Sequence, residues 1–244
     1  SGAVKITPAH DFNDFEVGKR HQLEFINVFD QFAKINDNAP KKYQGLDRFE
    51  ARKLILGELK DLGLLIKEEK QDMVVPYGDR SGVIIEPWLT DQWFCNAKKL
   101  SIDPIKSVKE AKTNFVPKNW ENTFFNWMEN IQPWCISRQL WWGHQIPAWY
   151  GPDKKCFVAL SVDDANMMAN KHYGKEVKLI QDEDVLDTWF SSALWTFSTL
   201  DWPNKTYELD RFYPGNVLVT GFDIIFFWVA RMMMMGSYFM KQTP

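Results

Sequence analysis

Residues 217–235 read VLVTGFDIIFFWVARMMMM, and this stretch decides the predicted fold class. Its first four residues are apolar or β-branched, which is typical of a buried strand. Gly221 and Asp223 then belong to a turn that leads directly into a hydrophobic helix beginning near Ile224. A strand, a Gly-x-Asp turn and a helix in this order predict an α/β fold of the open-sheet type.

The same turn is a candidate ligand site. Open α/β sheets bind nucleotides beyond the carboxyl end of a strand and close to a helix N-terminus. Gly221 would let a ligand approach the backbone, and Asp223 would accept hydrogen bonds from ribose hydroxyls. The alternative is that Gly221 only makes a turn and Asp223 only caps the helix, which is the commoner outcome for such spacing.

The apolar run 224–235 is the one membrane candidate. It is about a dozen residues long, it is bounded by Asp223 and it carries Arg231. A bilayer-spanning helix needs roughly 20 apolar residues. We therefore expect a buried helix and no membrane partner.

The pattern changes along the chain. Residues 1–95 are predicted to be β-rich, with strands at 2–7 and 23–29, extended segments over 73–95, and a helix from Asp47 to Gly63. From residue 96 the pattern becomes α/β, including an amphipathic helix around residues 120–131. Residues 151–183 are a polar insertion with its own helix, and the α/β pattern resumes over 184–244.

A cluster of polar side chains marks the first predicted strand-to-helix corner. Asp11 has the position of a helix N-cap, and Asp14 stands three residues later as in a capping box. A ligand ammonium group would be met by Asp14, and a ligand hydroxyl by Lys5, Thr7 or Asp11. The capping box alone also explains the two aspartates, so both interpretations stay open.

Two tryptophans form a second candidate site. Trp142 and Trp189 are each predicted to lie on a loop after a strand, where they could enclose a small apolar side chain. The alternative is that both tryptophans pack in the hydrophobic core, which tryptophans do more often than they line a ligand site.

Composition excludes several classes of protein. The formal net charge is −3, so no global basic field indicates a nucleic-acid binder. Cys95, Cys135 and Cys156 are odd in number and widely spaced, which supports neither a disulfide framework nor a zinc site and favours a reduced, cytoplasmic setting. The sequence shows no Ser-His-Asp or Cys-His arrangement of the kind used in nucleophilic catalysis, so no catalytic side chain is assigned.

Eight motifs occur together in one order. They are GAVKITPAHD (2–11), NDFEVG (13–18), GLDR (45–48), RSG (80–82), DQWF (91–94), WCISRQ (134–139), DVLDTWF (184–190) and VTGFD (219–223). With them the chain resembles the class I aminoacyl-tRNA synthetases of the valine, isoleucine and leucine group. Lys5, Asp11 and the stretches at 141–144 and 188–192 resemble the valine-specific members.

The resemblance implies a hydrolytic editing site in the first part of the chain. Asp14 resembles the aspartate that anchors the α-ammonium of a misattached amino acid. Lys5, Thr7 and Asp11 resemble the residues that recognise the hydroxyl of threonine. Residues 1–95 would then be the C-terminal part of an editing domain.

The resemblance also implies a synthetic site in the second part. Trp142, Val185 and Trp189 resemble the walls of a valine pocket, and Gly221 and Asp223 resemble contacts to the ribose of ATP. Residues 96–150 and 184–244 would be part of a Rossmann-type parallel-sheet catalytic domain, interrupted by the 151–183 insertion.

Two ATP-binding motifs of this family, of the His-Ile-Gly-His and Lys-Met-Ser-Lys-Ser types, are not found in the chain. We therefore expect an internal piece of a longer, monomeric enzyme that joins valine to tRNA(Val) with ATP and Mg²⁺. The piece alone is expected to be inactive. The alternatives are a free-standing editing module, an aminoacyl-tRNA deacylase, or an inactive interaction domain derived from a synthetase.

Overall fold

The computed structural model describes residues 2–70, 72, 74–79 and 81–244, and these residues form two compact units. Unit 1 spans Ser1–Asp91 and unit 2 spans Gln92–Pro244. The sequence places the change of pattern at 95/96. Met73 and Arg80, which belong to the predicted extended segment and the RSG motif, lie outside the described residues.

The described residues of unit 1 form two helices, and each starts where the sequence predicts. Helix α1 spans Phe12–His21, and its N-cap Asp11 accepts hydrogen bonds from the backbone N–H groups of Asn13 and Asp14. Helix α2 spans Arg48–Asp61 and is capped by Asp47. Such caps satisfy donors that have no partner within the helix, and for this reason local sequence locates helix starts well.

The end of α2 is also as predicted. Gly63 follows the helix in a left-handed conformation, with φ of +70°. Ala51 of this helix is buried, whereas Ile55, one turn further along, and Leu62 at its end are exposed.

The β-rich character expected for residues 1–95 is wrong for the described part of unit 1. Residues 2–7 and 23–28 run without strand pairing, and only isolated antiparallel bridges occur, such as Phe29 with Ile35 and Tyr77 with Ile84. A strand exists only where a second strand supplies its hydrogen-bond partners, and no second strand lies alongside these segments in the described residues.

Unit 2 mixes helices with short strands. Its helices are α3 (Ala97–Leu100), α4 (Ile102–Lys109), α5 (Trp120–Glu129), α6 (Val162–Tyr173), α7 (Thr188–Ser192), α8 (Trp195–Ser198), α9 (Tyr207–Phe212) and α10 (Ala230–Phe239), the last preceded by a 3-10 turn (Phe222–Ile224) and a π-helical turn (Ile225–Val229). Its strands are β1 (Phe94–Cys95), β2 (Trp134–Cys135), β3 (Ser137–Arg138), β4 (Ala148–Tyr150), β5 (Cys156–Val158), β6 (Ile180–Gln181) and β7 (Val185–Leu186).

Three small sheets result, and all their strand pairs are antiparallel. They are β1 with β2, β3 with β7, and β5-β4-β6. The mixed α/β class is confirmed, but the expected parallel sheet does not occur within the described residues. Residues 217–220, predicted as a buried strand, have no strand partner, and Val217 and Val219 are 83% and 88% exposed.

The core of unit 2 surrounds helix α10. Met232, Met233 and Met234 are fully buried, as are Phe124 on α5 and Phe197 on α8. By length and composition the 18-residue stretch Phe222–Phe239 could cross a membrane, and 44% of it is buried within the protein. The stretch is longer than the dozen residues expected, and the buried helix is confirmed.

The polar insertion packs on its own small sheet. The predicted helix is present as α6, which the Ser161 hydroxyl caps by accepting from the Asp164 N–H. Phe157 of β5 lies beside the rings of His172 and Tyr173 at the end of this helix.

Candidate functional site

The polar corner of unit 1 forms a connected hydrogen-bond network. The Lys5 ammonium donates to Thr7 Oγ1 at 3.0 Å. Both the backbone N–H and the hydroxyl of Thr7 donate to Asp14 Oδ2, at 2.7 and 3.1 Å. A cation, a hydroxyl and a carboxylate are therefore linked in a row through Thr7 at the start of α1, where Lys5 and Thr7 are exposed to solvent.

Asp14 does not complete the capping box. Its carboxylate turns toward Thr7 instead of the Asp11 N–H, and Asp11 Oδ1 alone accepts from the N–H groups of Asn13 and Asp14, each at 2.9 Å. The structure thus brings Lys5, Thr7 and Asp14 together, while Asp11 serves the helix. His10 is held between two backbone groups, Pro87 C=O and Val28 N–H, which is a structural role.

In unit 2, Trp189 lies in the first turn of α7 and not on a loop. Asp187 caps this helix, and its Oδ1 accepts from the Trp189 N–H at 3.0 Å. The Trp189 indole stacks on Phe227, with 5.9 Å between ring centroids. Trp189 is therefore fixed at both its backbone and its ring.

Asp187 is a further functional candidate, which its sequence motif alone does not identify. It is 7% exposed, and its Oδ2 accepts from the Trp134 indole N–H at 2.9 Å and from Arg138 Nη2 at 2.8 Å. One carboxylate therefore holds strand β2, strand β3 and helix α7 together. The Asp-Thr-Trp sequence at a helix start is the signal that could have identified it as a cap.

Trp142 is not placed against Trp189 in this structure. It is 89% exposed, and no ring contact joins the two tryptophans among the described residues. Val185 is 5% exposed and packs directly under Gly143, the residue that follows Trp142. The structure therefore does not bring the two indoles together, and the enclosure of a small apolar side chain between them stays a prediction.

Gly221 and Asp223 stand where the helical stretch Phe222–Phe239 begins. Gly221 has φ of −66°, a conformation open to any residue, and an added Cβ would meet only the mobile end of the Asp223 carboxylate. Both residues are exposed. The backbone of the protein therefore does not itself require glycine at this position.

A second carboxylate, Asp182, ties the insertion to the rest of unit 2. Its Oδ2 accepts from the Trp93 indole N–H at 2.8 Å and from the Tyr150 hydroxyl at 2.9 Å. Burial, with the hydrogen bond to Asp182, raises the pKa of Tyr150 to about 12. Tyr150 is therefore a fixed donor at neutral pH.

Metal-ligating side chains do not cluster in the described part of the chain. No group of three His, Cys, Asp or Glu side chains comes together there. All three cysteines are free thiols.

Comparison with known proteins places these features in a family. The family model for tRNA synthetases class I (I, L, M and V) matches residues 10–244. The chain is 64% identical over its full length to the valine--tRNA ligase of Pelagibacter ubique and covers 28% of that protein. It is 61% identical to that of Caulobacter vibrioides, covering 27%, and 59% identical to that of Bartonella quintana, covering 29%.

The chain thus spans less than a third of the length of these relatives. The family match, in contrast, extends over nearly the whole chain and includes Asp11, Asp14, Asp187 and the Gly221 turn, whereas Lys5 and Thr7 precede the matched residues. On this match, the chain belongs to the class I tRNA synthetases of the isoleucine, leucine, methionine and valine group.

Proposed function

We propose that this chain is part of a cytoplasmic, monomeric enzyme that activates valine with ATP, transfers it to tRNA(Val) and hydrolyses mischarged threonyl-tRNA(Val). The observation that carries the proposal is identity of 54–64% over the whole chain to relatives that are valine--tRNA ligases. The chain spans only part of these relatives, so the activity is proposed for the complete enzyme.

The need for editing follows from physical chemistry. Threonine is nearly isosteric with valine, and an apolar pocket rejects it poorly; the valine enzymes are themselves the usual example of this limit. A second site must therefore recognise the hydroxyl of threonine through hydrogen bonds. Residues 1–95 are proposed as part of that editing domain.

The network in unit 1 has the chemistry that such a site requires. Asp14 Oδ2 is occupied by Thr7, which leaves the other carboxylate oxygen to accept from the α-ammonium of a misattached amino acid. The Lys5 ammonium keeps further N–H donors for a threonine hydroxyl, and Thr7 Oγ1, whose own proton goes to Asp14, can accept from it. We assign Asp11 to the same site, where its carboxylate also accepts the two backbone hydrogen bonds that cap helix α1.

For the synthetic site we propose Trp142, Val185 and Trp189 as the walls of the valine pocket. Trp189 is held by the Asp187 cap and by Phe227, so one wall is preorganised. The exposed Trp142 would close the pocket only by moving toward it. Residues 96–150 and 184–244 are proposed as parts of a Rossmann-type catalytic domain, with 151–183 as an insertion.

We propose Gly221 and Asp223 as contacts to the ribose of ATP. Nothing in the backbone requires glycine at 221, so the space it leaves is explained by the close approach of a ligand. Asp223 is exposed and can accept from ribose hydroxyls. Mg²⁺, when bound, neutralises phosphate charge, and the single carboxylate here fits an ion held mainly by phosphates and water.

The test uses the complete enzyme. Asp14→Ala should slow hydrolysis of threonyl-tRNA(Val) by at least about tenfold, because a charge-assisted contact is lost, while valine activation stays within about twofold. Glu16→Ala, which removes an exposed carboxylate from the same helix, is the matched control and should change neither rate.

The readouts are deacylation of threonyl-tRNA(Val) and valine-dependent exchange of pyrophosphate into ATP. A fall in activation with intact deacylation would overturn the assignment of the corner to editing. Trp189→Ala should show the opposite pattern and impair activation first. Failure of the complete wild-type enzyme to activate valine would overturn the proposed function as a whole.

A further inference from the structure

Arg231 is a charged side chain in the first turn of α10, immediately before the buried methionines 232–235. Its guanidinium lies 4.3 Å from the centroid of the Trp134 ring, and 5.9 and 5.8 Å from the centroids of Trp189 and Phe227. A cation within about 6 Å of a ring centroid is attracted by the negative face of the ring. Aromatic rings from β2, from α7 and from the π-helical turn therefore lie around one cation.

The charge of Arg231 is otherwise poorly compensated. It has no salt bridge in the described part of the chain, and its buried Nη1 has no hydrogen-bond partner there. Burial lowers the pKa of the guanidinium, and the Asp187 charge opposes that shift, so the group remains charged at neutral pH. An apolar side chain of similar length would pack on the same rings without the free energy cost of burying a charge. Stability alone therefore does not explain an arginine at this position.

The ring of Trp189 depends on contacts beyond its own backbone. The Asp187 cap fixes the backbone of Trp189, but an indole still rotates about its side-chain torsions. Phe227 stacks on the indole, with 20° between the two ring planes. Arg231 approaches both members of this stacked pair, so its charge favours the one arrangement in which both rings face the guanidinium.

We propose that Arg231 is a positioning residue of the valine pocket, where its charge holds the Trp189 indole in the orientation that forms a wall for the side chain of valine. The inference rests on the proposed function, because Trp189 is assigned to the pocket there. Arg231 acts through Trp189 and is not itself a contact to valine. A wall that is ordered before the ligand arrives binds it without the entropic cost of ordering. Loss of the charge should therefore weaken the binding of valine and leave the chemical step unchanged.

The first test measures valine-dependent exchange of pyrophosphate into ATP by the complete enzyme. Arg231→Met keeps an apolar stem and removes the charge, so it should raise the KM for valine by about fivefold and leave kcat within about twofold. Arg231→Lys keeps a cation beside the rings and should return the KM to within about twofold of wild type. Arg211→Met removes an exposed arginine that lies over the ring of Phe212 on α9, and this matched control should leave the KM unchanged.

A purely structural role of Arg231 predicts a different result. In that case Arg231→Met would lower the thermal midpoint of unfolding, and Arg231→Lys would raise the KM for valine as much as Arg231→Met does. Removal of a buried, uncompensated charge should instead leave the thermal midpoint unchanged or raise it. A higher KM that occurs together with a lower midpoint and that lysine does not rescue would overturn the proposal.

The orientation of Trp189 can be measured without substrate. In the complete enzyme labelled with fluorotryptophan, the fluorine resonance of Trp189 is the one that disappears in Trp189→Phe. This resonance should shift in Arg231→Met and return toward its wild-type position in Arg231→Lys. An unmoved resonance, or a moved resonance with an unchanged KM, would contradict the positioning role.

Failure of the proposed valine pocket gives a distinguishable pattern. Trp189→Ala would then leave the KM for valine unchanged, while the fluorine resonance of Trp189 would still respond to Arg231→Met. That result would remove the link between Arg231 and valine. A raised KM in both Trp189→Ala and Arg231→Met, with rescue by Arg231→Lys, supports the pocket and the positioning role together.

Discussion

Replacement of Asp187 by alanine should destabilise unit 2 strongly, because one buried carboxylate serves three partners. The substitution leaves the Trp134 indole N–H buried without an acceptor, at a cost of about 1–3 kcal/mol. It also removes the N-cap of α7, which costs about 1 kcal/mol. Arg138 is 38% exposed and regains water, so loss of its ion pair adds little.

Together these terms predict a loss of about 3 kcal/mol in the free energy of unfolding, since contributions around one residue are not strictly additive. The matched variant Asp187→Asn keeps an acceptor for Trp134 and a good helix cap. It should therefore lose only about 1 kcal/mol, the contribution of the charge.

The assay is urea unfolding followed by tryptophan fluorescence. Trp88 is the only tryptophan before residue 92, so the signal reports almost entirely on unit 2. For a unit of this size, 3 kcal/mol moves the urea midpoint by about 1.5 M. A midpoint for Asp187→Ala within about 0.3 M of wild type, or equal destabilisation by alanine and asparagine, would refute this account of the hydrogen bonds.

Three further outcomes are expected. Phe124→Ala should cost about 3–5 kcal/mol of stability by urea unfolding, because Phe124 is fully buried, whereas Trp141→Ala at a fully exposed position should change stability by less than about 0.5 kcal/mol. Gly143→Ala should cost about 2 kcal/mol, because the new Cβ would lie 2.8 Å from Val185 Cγ2, and the further change Val185→Ala should recover part of that loss in thermal unfolding. The pKa of Tyr150 is raised from 10.0 to about 12, so the stabilisation that this residue contributes is complete below pH 10 and is lost as the pH rises toward 12. The variant Tyr150→Phe should therefore show a smaller decrease of the urea midpoint at alkaline pH than the wild-type chain. An unchanged pH dependence would contradict this.

Local features of the fold were predictable from the sequence. Asp11 and Asp47 mark the starts of α1 and α2, since a cap depends on a side chain and N–H groups two or three residues away. The amphipathic pattern around residues 120–131 and the apolar run after Ile224 correctly indicate helices, because a helix makes its backbone hydrogen bonds within itself.

Strands were predicted less well than helices, because a strand does not make its backbone hydrogen bonds within itself. A strand needs hydrogen-bond partners that are distant in sequence, and an apolar pattern does not show whether they are present. Residues 217–220 have the composition of a buried strand and are nevertheless unpaired and largely exposed. The short antiparallel pairs, such as β3 with β7, join segments that are far apart in the sequence, and the residues of each segment do not indicate its partner.

The sequence by itself determined the family motifs, the helix starts and the residue types of the candidate sites. Tertiary structure alone decided which of these residues meet: Asp14 turns to Thr7 instead of the cap, and Trp142 stays apart from Trp189. It also placed Asp187 between Trp134 and Arg138, about fifty residues away along the chain. Such contacts depend on the path of the whole backbone, whereas a motif records only the order of neighbouring residues.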